Sequence, residues 1–142
     1  MEGKKLWVFI GILGLILLSP VIAFNNASMG CYQRRIDKYP ESESSRNWQW
    51  RMGTIYYNSL RADKAADCYE RFYKNKVWLE EPRRPMAMQR HAEILEELAM
   101  RSEAIEVWKI LAREYPDHNL GKLALAKLNN EYKIFTLEPR GE

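Results

Sequence analysis

Residues able to do acid–base, nucleophilic or metal chemistry are few and scattered. The chain has two histidines, His91 and His118, and two cysteines, Cys31 and Cys68. No C-x-x-C, H-E-x-x-H, nucleophile elbow or glycine-rich phosphate loop accompanies them, so no metal site and no catalytic constellation is predicted. We expect His91 to be a packed or hydrogen-bonded helix residue and His118 to help cap the helix that follows it.

Paired carboxylates give no better case for catalysis. Glu80-Glu81 and Glu96-Glu97 are adjacent in the chain, and adjacent residues point apart on a helix. We therefore predict a protein that is not an enzyme and needs no cofactor. The formal net charge is only +3, without a concentrated basic stretch, and this argues against nucleic-acid binding.

An apolar run at residues 6–24 follows Lys4 and Lys5. As a helix it would be about 28 Å long, close to the hydrocarbon thickness of a bilayer. We predict that residues 1–24 form a retained transmembrane anchor; the alternative is a secretory signal that is cleaved near Ala23.

The lysines before the apolar run predict an N-terminus on the cytoplasmic side and a domain outside the cytoplasm, in the periplasm or its equivalent. Against this, Arg34, Arg35 and Lys38 lie on the other side of the run. Cleavage of the run would instead give a secreted protein.

Residues 25–45 are polar and show no period of 2 or 3.6, so they are predicted to be a linker. Gly30-Cys31 resembles the end of a bacterial lipobox, which leaves lipidation at Cys31 as a weaker alternative. A disulfide between Cys31 and Cys68 is also left open.

From residue 46 to residue 135 apolar residues recur at helical spacing and predict an all-α domain of about five helices, with a loose tail at 136–142. Ser44 or Ser45, Asp63 and Ser102 are the predicted N-caps of the first, second and fourth helices. The fifth helix, from about Asn119 to Tyr132, offers five residues for burial, namely Leu120, Leu123, Ala124, Leu128 and Tyr132.

These helices form two pairs whose small and bulky residues recur at the same separations. The pattern resembles the tetratricopeptide repeat, a helical hairpin of about 34 residues. The resemblance implies two repeats and a capping helix, with these matching packing positions: Gly53, Tyr56, Ala65 and Tyr69 in the first unit, and Ala92, Leu95, Ala104, Trp108 and Pro116 in the second.

The match to the family pattern has departures. Ala65 and Ala104 lie 39 positions apart, which implies an insertion near residues 80–84 between the units. Gln49, Val77 and His91 stand where the family prefers Trp, Pro and Leu. The alternative fold is an unrelated bundle of five helices.

The resemblance also implies a partner-binding groove along the first helix of each unit. Trp50 and Tyr57 would stand beside an acidic wall that suits a segment with apolar and basic residues; the alternative is that these glutamates are a solvated helix face. The implied groove residues are Asn47, Trp50, Thr54, Tyr57, Asn58, Met86, Gln89, Glu93, Glu96, Glu97 and Lys127.

Two repeats are fewer than such arrays normally need, so one end is expected to be under-covered. Aromatic residues on the first hairpin are predicted to form an exposed patch there, covered by another subunit or by a second copy of the chain. They are Trp48, Trp50, Tyr56, Tyr57, Tyr73 and Trp78.

The expected function is therefore a non-catalytic protein-interaction module. It would be a membrane-tethered scaffold or an assembly subunit of an envelope protein complex. The alternative is an accessory or carrier protein that binds a small molecule or a lipid, which would need an enclosed pocket.

Overall fold

A computed structural model describes residues 26–134 of the chain. In that range it contains six α-helices, one short 3₁₀ helix and no β-strand. The α-helices are α1 (Asn26–Lys38), α2 (Glu43–Asn58), α3 (Ala62–Lys74), α4 (Arg84–Glu97), α5 (Arg101–Glu114) and α6 (Asn119–Asn130).

None of these six helices is both long enough and apolar enough to cross a bilayer. The predicted anchor or signal at 6–24, the cleavage point near Ala23 and the loose tail at 136–142 all lie outside the described residues. The all-helical class predicted for the domain is confirmed over residues 26–134.

The chain divides into two compact units between Tyr39 and Pro40. The first unit contains α1, where the sequence had predicted an irregular linker. Its helical period is carried by only two apolar residues, Met29 and Ile36, which are buried and lie seven positions apart. That is two helical turns, too sparse a pattern for periodicity to reveal.

Side-chain pairs and terminal charges support α1 instead. The Gln33 amide donates to Asp37 one turn later at 2.8 Å. Arg35 and Lys38 lie in the last turn, where positive charge is favourable to the helix dipole.

The second unit contains two helical hairpins, α2–α3 and α4–α5, followed by α6. Each helix packs against the next one along the chain, and α4 also touches α6. The hairpin loops have the same three-residue length and the same conformation, because Leu60 and Ala99 both have left-handed φ values, 57° and 59°.

The same two backbone hydrogen bonds close both loops. After α2, the amide of Arg61 donates to the carbonyl of Tyr56, and that of Leu60 to Tyr57, both at 3.0 Å. After α4, the amide of Met100 donates to the carbonyl of Leu95 at 2.8 Å, and that of Ala99 to the carbonyl of Glu96 at 3.0 Å. These are Schellman motifs, and they make the two hairpins local copies of one another.

The motif explains why the predicted N-caps are wrong. Arg61 closes the first Schellman turn and is already the N-cap of α3, and Met100 does the same for α5. Each helix therefore starts before the polar residue that was expected to cap it, which places Asp63 and Ser102 inside the first turn. Helix α2 likewise begins earlier than predicted, with Ser42 as N-cap.

The end of the second hairpin follows the prediction more closely. Helix α5 ends just before Pro116, which cannot continue a helix. The ring of His118 then caps α6, because its Nδ1 accepts a hydrogen bond from the amide of Leu120 at 3.1 Å.

The segment between the hairpins contains the 3₁₀ helix, Lys76–Trp78, and is held in place by the last residue of that helix, Trp78. The Trp78 indole is buried, lies 5.4 Å from the ring of Phe72 and donates to the carbonyl of Pro40 at 2.7 Å. The predicted insertion is therefore a packed connection.

Small residues sit where helices approach most closely. Ala65, Ala92 and Ala104 are fully buried, and a Cβ on Gly53 would lie 2.9 Å from the ring of Tyr69. The larger side chains of the pattern, such as Trp108, fill the space beside them.

Both cysteines are free thiols, Cys31 exposed and Cys68 buried. Burial, with the nearby Asp67 charge adding to it, raises the pKa of the Cys68 thiol to about 12. Cys68 is therefore a packing residue and a poor nucleophile at neutral pH.

The left-handed turn at Leu60 predicts a stabilising substitution. Leu60 is 93% exposed, so Leu60→Gly loses almost no packing while it relieves the steric cost of a positive φ. We expect the free energy of unfolding in urea to rise by about 0.5–1 kcal/mol. Leu60→Ala keeps the cost and should not stabilise; an equal gain in both variants would contradict the turn geometry.

Gly53→Ala gives the opposite prediction. On helix propensity alone alanine would stabilise an interior helix position by about 1 kcal/mol. Here the added methyl meets the buried Tyr69 ring, and we expect a net loss of about 1–3 kcal/mol in denaturant unfolding. Gly30→Ala is the matched control, since nothing beyond its chain neighbours and its own helix backbone lies within 4 Å of its Cβ position. A stabilised Gly53→Ala protein would contradict the close approach.

Candidate functional site

A surface cleft of about 370 Å³ lies between α4 and α6, the first helix of the second hairpin and the helix that follows the hairpins. We call it the α4–α6 cleft. Three predicted groove residues, Gln89, Glu93 and Lys127, meet here. The remaining lining residues are Trp108, Leu123, Ala126, Asn130 and Glu131.

Two lining residues of the α4–α6 cleft, Trp108 and Lys127, are held by Glu96, which accepts hydrogen bonds from three parts of the chain. Its carboxylate accepts hydrogen bonds from the Trp108 indole and from the Lys127 ammonium, both at 2.7 Å, and from the Tyr132 hydroxyl. Lys127 also lies over the Trp108 ring, 5.1 Å from its centroid. Glu96 thus ties α4 to α5, to α6 and to the residues after α6.

These contacts stabilise the charged forms of both partners. Burial opposes ionisation of Glu96, but the bonds from Lys127, Tyr132 and Trp108 outweigh it and lower the carboxyl pKa. Burial likewise disfavours the Lys127 ammonium, and its bond to Glu96 outweighs this and raises the pKa of Lys127. Glu96 is consequently engaged inside the protein and is a poor candidate for contacting a partner's cation.

The other glutamates of the predicted acidic wall also have internal partners. Gln89 donates to Glu93 at 2.7 Å within the cleft. Glu97 accepts from the Tyr57 hydroxyl at 2.9 Å, a bond that joins the last turn of α4 to α2. Gln89 and Tyr57 are neutral donors, so they orient these two carboxylates without cancelling their charge.

The groove residues predicted on α2 do not line the α4–α6 cleft. Asn47 accepts a hydrogen bond from Arg83 at 2.9 Å, and Thr54 lies 3.2 Å from the Tyr69 hydroxyl. Trp50 packs edge-on against Tyr69, with ring centroids 5.3 Å apart. These side chains connect α2 to its neighbours, while Tyr57 and Asn58 are the exposed members of the set.

The predicted exposed aromatic patch on the first hairpin is absent from the described residues. Tyr56, Tyr73 and Trp78 are buried, and Trp48 and Trp50 are only partly exposed. Tyr57, at 37% exposure, is the sole exposed member of the six. The aromatic side chains fill the core between α2, α3 and the 3₁₀ helix, so they give no argument for a partner at that end.

The packing positions carried over from the resemblance are distributed as follows. Gly53, Tyr56, Ala65 and Tyr69 of the first hairpin are buried, and so are Ala92, Leu95, Ala104 and Trp108 of the second. Pro116 is exposed and lies just beyond the end of α5.

Sequence reasoning missed the exposed face of α6. Leu123 was assigned to the core by its spacing, yet it is 46% exposed and lines the α4–α6 cleft with Ala126 and Asn130. The core side of this helix is carried by Ala124 and Leu128, a step of four that the sequence does show. Spacing shows that α6 is amphipathic but not which of its leucines a neighbouring helix covers; within residues 26–134, α6 is the last helix, and Leu123 is left exposed.

Within the described part of the chain, no three His, Cys, Asp or Glu side chains come together as metal ligands. Residues 86–118 match the model of the tetratricopeptide repeat family. The matched segment covers α4 from its third residue, the Schellman turn and α5, and it ends at the His118 cap. No curated protein and no solved structure gives a significant match to the chain.

The match supports a tetratricopeptide-type repeat in the second hairpin. Such repeats are stacked helical pairs that present extended binding surfaces to other proteins. The α4–α6 cleft lies on the first helix of the matched segment.

Removing the charge of Glu96 tests how much its hydrogen bonds to Trp108, Lys127 and Tyr132 stabilise the fold. The pKa of Glu96 is lower in the folded protein than in the unfolded chain, so its stabilisation is present above the unfolded pKa and is lost as pH falls through the folded one. We expect Glu96→Gln to lower the free energy of unfolding by about 1–2 kcal/mol at pH 7 and by progressively less below about pH 4.5.

Urea unfolding at pH 7 and at pH 3 measures this difference. Glu97→Gln is the matched control: the neighbouring carboxylate is exposed, and its loss should cost less than about 0.5 kcal/mol. A Glu96→Gln effect that is equal at both pH values would mean that packing, and not charge, is what the substitution removes.

Proposed function

We propose that the protein is a non-catalytic scaffold that binds a segment of another protein in the α4–α6 cleft. In this proposal both hairpins act as repeats and α6 is the capping helix. The observation that carries it is the repeat match at 86–118 together with an open cleft on the first helix of that repeat. The shared Schellman turns support extending the repeat assignment to the first hairpin.

The chemistry of the cleft indicates what it would bind. Leu123 and Ala126 offer an apolar strip, and Gln89, Glu93 and Asn130 offer hydrogen-bonding groups around it. Lys127 is already neutralised by Glu96. The best-fitting occupant is a peptide segment with one or two apolar side chains for the strip and uncharged polar groups beside them.

We further propose that residues 6–24 tether this domain to a membrane, with the domain outside the cytoplasm and the partner a subunit of an envelope complex. The apolar run and the preceding Lys4 and Lys5 support this. Secretion after cleavage near Ala23 and lipidation at Cys31 are the competing fates of the N-terminus. The intact mass of the protein taken from native membranes distinguishes the three.

Leu123 provides the decisive substitution, because Leu125 is a matched control. Both leucines are on α6 and similarly exposed, 46% and 41%, but two positions apart they face nearly opposite directions. Only Leu123 lines the cleft. We expect Leu123→Asp to reduce the amount of a stoichiometric partner that is extracted with the protein by at least about tenfold, and Leu125→Asp to leave it unchanged.

The measurement is native mass spectrometry of the protein gently extracted from its own membranes, combined with a photo-crosslinking residue placed at 123 or at 125. The proposal predicts one crosslinked product from position 123, of a different chain and at fixed stoichiometry. A product of twice the chain mass would show a homodimer instead. A monomer without a partner, or equal effects of both aspartates, would overturn the proposal.

A further inference from the structure

A second and larger cleft, of about 520 Å³, lies between the second helices of the two hairpins, α3 and α5. We call it the α3–α5 cleft. Its floor is formed partly by α4, through the buried side chains of His91 and Leu95, and by Val107 of α5. The Nδ1 of His91 lies within hydrogen-bond distance of the Tyr73 hydroxyl, at 3.1 Å.

The mouth of the α3–α5 cleft carries exposed apolar side chains. Leu98 and Met100, which flank the left-handed residue of the second hairpin turn, are 37% and 38% exposed. An apolar floor that continues to exposed apolar residues at the opening is typical of a site that takes an apolar side chain from a partner.

The rim of this cleft is strongly acidic. Five carboxylates line it against a single ammonium, that of Lys74. They are Asp63, Asp67, Glu70, Glu103 and Glu106. In a chain whose net charge is +3, such a concentration of negative charge is local to this face.

Part of that charge is uncompensated. Glu70 is paired with Lys74 at 2.5 Å, and Glu106 with Lys109 at 2.8 Å. Asp63, Asp67 and Glu103 are exposed and make no salt bridge to any residue between 26 and 134. Two of them lie on α3 and one on α5, so negative charge stands on both sides of the apolar floor.

We propose that the α3–α5 cleft is a second docking site, and that it binds a basic amphipathic segment of a partner protein. Leucine-like side chains of the segment enter between α3 and α5, and its lysines or arginines lie along the two acidic sides. We choose a basic occupant because its charge complements that of the rim. An anionic segment, a nucleic acid or an anionic lipid surface would be repelled by the rim. The two clefts have no lining residue in common, although α4 and α5 contribute different side chains to both, so a partner could engage both.

The test uses the full chain in nanodiscs of phosphatidylcholine, with empty nanodiscs as background. The probe is a fluorescein-labelled peptide whose leucines and lysines alternate as in an amphipathic helix. Its binding is measured by fluorescence anisotropy. We expect saturable binding that weakens as salt is raised, because exposed charges are screened. A peptide with every lysine replaced by glutamate should not bind.

The substitutions Asp67→Asn and Glu103→Gln, made together, remove one uncompensated charge from each side of the cleft. We expect them to weaken binding of the lysine peptide about three- to tenfold. The control pair is Glu80→Gln with Asp117→Asn, which changes the net charge equally at exposed positions that do not line the cleft. Equal losses in both pairs would mean non-specific attraction and would overturn the proposal.

Two further variants separate this site from the α4–α6 cleft. Met100→Ser, at the mouth of the α3–α5 cleft, should weaken binding of the lysine peptide, whereas Leu123→Asp should leave it unchanged. If Leu123→Asp abolishes binding and the rim variants do not, the peptide occupies the α4–α6 cleft, and the second site fails while the proposed function stands. Circular dichroism of each variant checks that the helices are intact.

Discussion

The carboxylate of Glu96 is the contact on which the arrangement of the second hairpin and the last helix depends. Apolar contacts through Ala124 and Leu128 bring α6 against its neighbours, but such contacts are not directional. The bond from Lys127 to Glu96 is directional and fixes the rotation of α6 about its axis. Once Lys127 points towards α4, Leu123 lies one turn earlier on the same side, and the α4–α6 cleft follows from that register.

Two arginines in the connection between the hairpins also hold helices in place through hydrogen bonds and ion pairs. Arg83 donates to Glu81 at 2.6 Å and to Asn47 of α2. Arg84 donates to the carbonyl of Tyr73, at the end of α3, and pairs with Glu114 near the end of α5 at 2.8 Å. The connection between the hairpins is therefore used to join the ends of helices that belong to different hairpins.

The sequence predicted much of the fold because periodicity and small residues report on packing directly. Five helices were expected after residue 45, and Ala65, Ala92 and Ala104 were expected at close contacts. Helix starts were predicted less well, since the rule that favours polar caps fails where a Schellman turn runs straight into the next helix. Helix α1 was missed because only Met29 and Ile36 carry its period.

Two departures from the repeat pattern illustrate what a sequence does not reveal. Gln49, where the family prefers tryptophan, is buried and donates to the carbonyl of Cys68 at 3.1 Å. His91, where it prefers leucine, is buried against the Tyr73 hydroxyl. Each polar substitute is accompanied by a specific partner far along the chain, and no local pattern encodes that pairing.

The groove prediction failed in part for a related reason. Glutamates on one face of a helix look alike in sequence, yet Glu96 is engaged by three donors and Glu97 by one. Which carboxylates keep their charge available to a partner depends on what the neighbouring helices present to them. Carboxylates without a salt bridge to any residue between 26 and 134 lie on α3 and α5, and Glu97 on α4 is another, since its donor Tyr57 is neutral.

Helix α4 is consequently a wall of both clefts. His91 and Leu95 face the α3–α5 cleft, while Gln89 and Glu93 face the α4–α6 cleft. An occupant of either cleft therefore rests on this one helix, but on different side chains of it. Helices α3 and α6 each line one cleft only, whereas α5 contributes Val107 to one and Trp108 to the other.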